Sequence, residues 1–411
     1  MRILTFTVGI ILAAYSSAGV VSEVFWPNNE RLNRALCGVF LCNSAPSVSR
    51  ARDQLAAGTD ESVQRAITTF RTALQRDPQD PYRWTDLGDA FLEAGQKEQA
   101  RYCFAQVLAL APHSARLLLR AADFYFQIGE NQEALPVTAR VLALIPDYDS
   151  VIFSEYISNV DRSEDILQLG LPPDRRASNS WLQFLIQAGR FDDAQRTWDW
   201  ITQRDYADDV LAGEYADFLI RQGHPDLAAS AWAQRMGAAD GYGKSTYLFN
   251  GDFESDFAQS PFDWSVTRAE GIEVTRDCAT AWSGKCSLRI TFAGTQNLSV
   301  TAVSQLALVR PGAYRFHAFI RTEALTTDQG IRFRISDAEL PARLDEVFGQ
   351  FTGSTSWSSV DHDLAVAQKT RLLRIEVIRQ PSMKFDNKVD GTAWIDQLKL
   401  EPITPPHSLA E

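Results

Sequence analysis

Trp84 to Pro112 reads WTDLGDAFLEAGQKEQARYCFAQVLALAP. Trp84, Leu87, Gly88 and Phe91 fall at i, i+3, i+4 and i+7, one face of a helix. Gly88 and Ala100 are small where two helices must approach closely. Gly95 allows the chain to reverse between them, and Pro112 ends the second helix. The pattern recurs at an interval of 34 residues. Pro78, Pro112 and Pro146 keep it, as do Ala66, Ala100 and Ala134, and Gly95 and Gly129. Further on, Gly189 and Gly223, Ala194 and Ala228, and Trp198 and Trp232 keep it again.

With its Trp, Leu-Gly, Ala, Phe and Pro positions filled, the unit resembles the tetratricopeptide repeat. The resemblance implies an all-α solenoid over 47–236. It has three good repeats to about residue 146, a degenerate segment to about 174 around LQLGLPPDRR (167–176), and two weaker repeats beyond. Three or more stacked units bury a continuous core. It also implies a protein partner in a groove lined by the first helix of each repeat. By repeat position the groove candidates are Tyr82, Asp89, Arg116, Arg120, Asp123 and Phe126. The competing reading makes these solvated faces, with Arg120 and Asp123 paired at i, i+3.

After Met236 a Gly-rich linker, 237–246, leads into LFNGDFESDFAQSPFDW (248–264), where turn and aromatic signals replace helical periodicity. Short alternating runs follow at 271–277, 286–292, 297–304, 313–322, 330–337, 357–364, 372–378 and 391–400. With the opening stretch as the first strand, they predict eight or nine strands in an all-β jelly-roll sandwich over 247–402, with a tail at 403–411. Asn250-Gly251 and Phe253 open that first strand in this reading, and a turn is expected near Arg343.

NGDFE (250–254), WSGKCSLRI (282–290), RPGAYRFHAFIRTE (310–323) and AWIDQLKLEP (393–402) resemble the galactose-binding-like sandwich of carbohydrate-binding modules. The resemblance implies a structural calcium held by Glu254, Asp396 and the Lys285 carbonyl, oxygen donors of the kind calcium takes. The alternative is that Glu254 and Asp396 cap turns or meet an arginine. No other cofactor is expected. On 313–322, Tyr314, Phe316, Ala318 and Ile320 point to the core, so Arg315, His317, Phe319 and Arg321 face outward as glycan-binding candidates. Arg289, Arg332, Arg334, Arg374 and Glu376 also turn outward, on two sheets. Such arginines suit an anionic sugar, which a guanidinium holds bidentately. They also suit an ordinary ion-paired β surface. Trp264, Trp282 and Trp357 can serve as sugar platforms or as core.

The 411 residues are 45% hydrophobic and 22% charged, an ordinary globular composition. The net charge of -12 argues against non-specific nucleic-acid binding. Ile3 to Val21 is uncharged, follows Arg2 and precedes Phe25-Trp26. It predicts a single-pass signal anchor over 1–26, followed by a linker at 27–46; the rival is a cleaved signal at Ser16-Ser17-Ala18. Either exports the rest of the chain, where disulfides are permitted. Cys278 and Cys286 then make a hairpin staple; otherwise all five cysteines, Cys37, Cys42 and Cys103 included, are small buried residues. GxSxG, HExxH, GxGxxG and paired CxxC motifs are all missing, and His113, His224 and His407 are scattered. Asp361-His362-Asp363 alternates faces of a strand. The expected function is a non-enzymatic scaffold on the bacterial inner membrane with its bulk in the periplasm. It serves exopolysaccharide or envelope assembly, with a protein partner, a polysaccharide and the membrane as contacts. The alternatives are a glycan-processing enzyme subunit, or an adaptor with a purely structural sandwich cap.

Overall fold

The structure, a computed structural model, describes residues 45–236, 246–258 and 260–403. The expected N-terminal anchor, Cys37 and Cys42, almost all of the expected linker at 237–246 and nearly all of the tail lie outside the described residues. Among the described residues no helix is long and apolar enough to cross a membrane. The chain divides into two compact units, one ending at Phe184 and one starting at Leu185.

In the first unit, helical hairpins follow the 34-residue period. They are α1 (Ala45–Ala56) with α2 (Asp60–Arg76), α3 (Pro81–Glu93) with α4 (Lys97–Leu110), and α5 (Ala115–Gln127) with α6 (Asn131–Leu144). Caps start the helices where the sequence supplies them. Thr59 accepts the Ser62 N–H, and Asp80 accepts those of Tyr82 and Arg83, with Pro81 in the first turn. Gly95 closes the α3–α4 reversal in the left-handed region, φ 70°. Gly88 lies against Phe104: a methyl there would stand 2.9 Å from its ring. Phe104 stacks on Phe124 at 4.5 Å, which carries the core from one repeat to the next.

The degenerate repeat keeps its first helix, α7 (Asp149–Asn159). Its second helix is reduced to Ser163–Asp165 and a π turn over Ile166–Gly170. The Tyr156 hydroxyl donates to the Gly170 carbonyl at 2.7 Å and meets Thr138 Oγ1 at 2.7 Å. Its burial and its tie to Gly170 hold the shortened unit against α6. Helix α8 (Arg175–Gln187) resumes the pattern and crosses the division between the units.

The second unit begins with the end of α8 and continues with α9 (Phe191–Thr202), α10 (Asp209–Arg221) and α11 (Pro225–Met236). Two antiparallel five-stranded sheets follow. In one, β1 (Ser265–Val266), β4 (Val300–Leu308), β9 (Leu372–Arg379), β6 (Ile331–Asp337) and β7 (Asp345–Phe351) lie in the order β1-β4-β9-β6-β7. In the other, β2 (Ile272–Asp277), β3 (Ser287–Ala293), β10 (Asp390–Pro402), β5 (Gly312–Leu325) and β8 (Gly353–Val366) lie in the order β2-β3-β10-β5-β8. Leu288, Ile290, Phe316, Ile320, Ile335, Ile375 and Ile395 interdigitate between the sheets. Trp232 of α11 meets Phe249 edge to face at 5.7 Å, so the last repeat packs on the sandwich.

Two strand expectations change. The opening stretch 248–264 is not a strand. Asn250 and Phe253 adopt φ of 48° and 54°, which breaks any extended run. The segment instead packs irregularly beside β10, with Leu398 donating to the Gly251 carbonyl. Phe253 and Trp264 are core, and the Trp264 indole N–H donates to the Asn250 carbonyl at 2.9 Å. The turn near Arg343 is present as a short 3-10 helix, and it leads into β7, an edge strand that the alternation did not announce.

Candidate functional site

The outer face of the β2-β3-β10-β5-β8 sheet carries the candidate site. Alternation on β5 buries Tyr314, Phe316, Ala318 and Ile320 and sends Arg315, His317, Phe319 and Arg321 outward. Register places Asp396 of β10 and Ser359 of β8 opposite Phe319. One row further, Trp394 stands opposite both Arg321 and Arg289.

Above this sheet runs the loop from Cys278 to Cys286, closed at its ends by a disulfide between those residues. Its apex is Trp282, which stacks on Phe319 with ring centroids 4.3 Å apart and planes 19° off parallel. Trp357 stands 6.3 Å from Trp282, and His317 meets Phe319 edge-on at 4.9 Å. Trp282 remains 47% exposed, unlike Trp264, which is fully buried. Together Trp282, Phe319 and Trp357 form an open aromatic surface on a rigid sheet. A sugar ring lays its C–H face on such a surface.

Two carboxylates hold the loop in place. Asp396 Oδ2 accepts the N–H groups of Trp282 (2.8 Å) and Ser283 (3.1 Å), while its Oδ1 accepts that of Gln397 (2.7 Å). Glu254 Oε1 accepts the N–H groups of Lys285 (2.5 Å) and Cys286 (3.1 Å). A methyl on Gly284, whose φ is 68°, would fall 2.2 Å from that same Glu254 oxygen, so only glycine fits there. The two N–H bonds, led by that of Lys285, pull the Glu254 carboxyl below its usual range. Burial raises that of Asp396 despite its three bonds.

The oxygens expected to hold calcium accept these N–H groups, and each carboxylate keeps further lone pairs beyond them. Lys285 meets Glu254 through its N–H. Among the described residues no group of three His, Cys, Asp or Glu side chains is arranged to hold a metal ion. Glu254 and Asp396 act as positioning residues for Trp282.

The four outward residues of β5 divide into two kinds. Arg315 is held by Asp363 through two bonds of 2.7 and 2.8 Å, and His317 Nδ1 by Asp361 at 2.8 Å. Phe319 belongs to the aromatic surface. Arg321 lies 5.0 Å over the Trp394 ring. His362 turns the other way, stacked on Phe348 at 3.9 Å and bonded to Glu346. Trp394, which alternation with Ala393 and Ile395 marks as outward, is buried on that face with Arg321 over its ring.

In the first unit the groove candidates sit on α3 and α5. Asp89 takes a 2.7 Å bond from Arg120, which also faces Asp123 at 3.8 Å. Burial raises the Asp89 carboxyl against the pull of Arg120. Arg52 and Asp86 make a similar bridge from α1 to α3, at 2.8 and 2.9 Å. Tyr82 and Arg116 are exposed, whereas Phe126 is only 8% exposed and serves the core. It drops out of the groove set for that reason.

Residues 85–149 and 185–243 match the tetratricopeptide repeat family. The helical repeats are tetratricopeptide repeats. The chain is similar to the Vi polysaccharide export protein VexE of Salmonella typhi, 25% identical over 187 residues. That match covers 42% of this chain and spans only 28% of the relative's length. The C-terminal sandwich resembles carbohydrate-binding modules. TmCBM61, solved with β-1,4-galactotriose, is 18% identical and covers 38% of this chain and 99% of its own, with a TM-score of 0.29. The protein MamA is 15% identical and covers 47% of this chain and 90% of its own, with a TM-score of 0.25.

Proposed function

We propose that the chain is a non-enzymatic scaffold of exopolysaccharide or envelope assembly. It holds a protein partner on its tetratricopeptide repeats and a glycan on the outer face of its sandwich. One observation carries the glycan half: Trp282 is exposed, stacked on Phe319, and fixed by a disulfide and two carboxylates. Soluble surfaces seldom hold a large aromatic ring open at such structural expense unless something covers it. The repeats support the protein-binding half. Tyr82 and Arg116 stand open there beside the Asp89–Arg120 bridge.

The polysaccharide setting draws on the relative named for Vi polysaccharide export. Export to the periplasm behind an N-terminal anchor at residues 3–21 completes the proposal. The Cys278–Cys286 disulfide supports it, because such bonds persist in oxidising compartments. The test is retention of the full chain on immobilised envelope polysaccharide, with Trp282→Ala as the control. Retention lost in the variant is expected. Equal retention of both, or release of reducing ends by the wild-type chain, refutes the proposal.

A further inference from the structure

The outward arginines of the two sheets are not alike. On the β1-β4-β9-β6-β7 sheet, Arg334 is consumed by Asp345 at 2.7 and 2.8 Å and also faces Glu376 at 3.4 Å. Arg332 of the same strand meets the amide oxygens of Gln329 (3.1 Å) and Gln350 (2.6 Å). On the opposite sheet Arg315 is likewise consumed by Asp363. These are ordinary β-surface pairs.

Arg289 and Arg321 differ. Both stand in register with Trp394, one on each side of it. With neighbouring strands about 4.8 Å apart, their backbones are separated by about 10 Å. Arg289 has one long ion contact, 4.0 Å to Asp277, and its Nε has no hydrogen-bond partner. Asp277 is already engaged, accepting the Trp394 indole N–H and the Ala279 N–H at 2.8 Å each. Arg321 reaches Glu323 only at 3.5 Å, and Glu323 is largely exposed. Both side chains are more than one-third exposed, with Arg289 Nε buried beneath its two terminal nitrogens. Contacts at 3.5–4.0 Å on an exposed face contribute little, so a ligand carboxylate displaces them at small cost. A guanidinium offers a planar pair of donors that matches a carboxylate. The neighbouring row, through Phe319, carries the aromatic surface.

We infer that the glycan this face takes is acidic: its sugar ring lies on the Trp282–Phe319–Trp357 surface and its carboxylates are gripped by Arg289 and Arg321 beside Trp394. This rests on the glycan function proposed above and adds the ligand's chemical class and the residues that read it.

The test is calorimetric titration of the full chain with two matched probes, a cello-oligosaccharide and the same oligosaccharide oxidised at C6 to glucuronate. The acidic probe is expected to bind at least about tenfold tighter, and the advantage should shrink as salt is added. Arg289→Gln with Arg321→Gln should bring the ratio of the two affinities near one. Equal affinity of wild type for both probes overturns the inference and leaves the glycan function standing. A double variant that keeps the tenfold ratio also overturns it. Binding of neither probe by wild type overturns the inference and the glycan function together. The wild-type comparison needs no variant to fold.

Discussion

Asp396→Asn is the substitution that most directly probes how the sandwich presents its aromatic surface. The Asp396 carboxylate is buried and collects three N–H groups, two from the Trp282 loop and one from Gln397. Asparagine has one acceptor oxygen and one NH2 group. If its oxygen stays on Trp282 and Ser283, the NH2 group opposes the Gln397 N–H. If it flips, the two loop donors are orphaned. Either way a buried donor loses its acceptor, which costs about 1–3 kcal/mol. Neutralising a desolvated carboxylate returns part of that. A net loss of about 2 kcal/mol corresponds to about thirtyfold more frequent opening of the loop. Native-state hydrogen exchange, read on a peptide spanning 279–287, measures this directly. The peptide should exchange about thirtyfold faster while the first unit is unchanged. Glycan affinity should fall in parallel, because Trp282 loses its orientation. An unchanged exchange rate in that peptide would refute the assignment of Asp396 as a positioning residue.

Further outcomes follow from other parts of the molecule. Gly88→Ala should cost the first unit about 1–3 kcal/mol in urea unfolding, because the new methyl meets Phe104 at 2.9 Å and Cys103 Cβ at 3.2 Å. Burial lifts the Asp263 carboxyl from its ordinary 3.8 to about 6, against N–H bonds from Ala258 and Trp264. The folded state therefore binds the extra proton between those values, and stability should fall by on the order of 3 kcal/mol as pH rises from 4 through 6. Asp263→Asn should flatten that slope in pH-dependent unfolding. Replacing Cys278 and Cys286 with serine should lower the stability of the second unit by about 2 kcal/mol in urea unfolding and weaken glycan retention. Thermal unfolding with calcium and with EDTA tests the expected ion: a midpoint raised by calcium and restored by EDTA in wild type, but not in Glu254→Gln, places it at Glu254 and Asp396, and an unchanged midpoint removes it.

Repeat spacing carried much of the fold. Ala66, Ala100 and Ala134, with Pro78, Pro112 and Pro146, recur because each hairpin packs on the next, so the period was legible without any contact information. The eight alternating runs were legible for the same kind of reason: one face of each strand meets the core. β7 was not, because an edge strand is half exposed and Gly349 interrupts its pattern. The opening stretch misled because its aromatic alternation is that of a strand, while Asn250 and Phe253 take left-handed backbone angles. Phe126 misled because repeat position does not report depth, and its ring turned inward.

The site was legible only in part. Glu254 and Asp396 stood out as a pair joining distant segments, and they do anchor one loop. What they accept is backbone N–H, and no sequence pattern marks a peptide group as a partner. The same limit hid the distinction between Arg315, which Asp363 consumes, and Arg321, which lies over Trp394. Cross-strand register makes that difference, and register is set by the whole sheet.

The central claim is that the outer face of the sandwich binds glycan through Trp282. The decisive measurement is the affinity of the full chain and of Trp282→Ala for the same C6-oxidised cello-oligosaccharide, taken side by side by calorimetry. Measurable binding by the wild-type chain and at least about a tenfold loss in the variant are expected, with the fold intact by circular dichroism. Equal affinity in the two chains, or no binding by either, would contradict it.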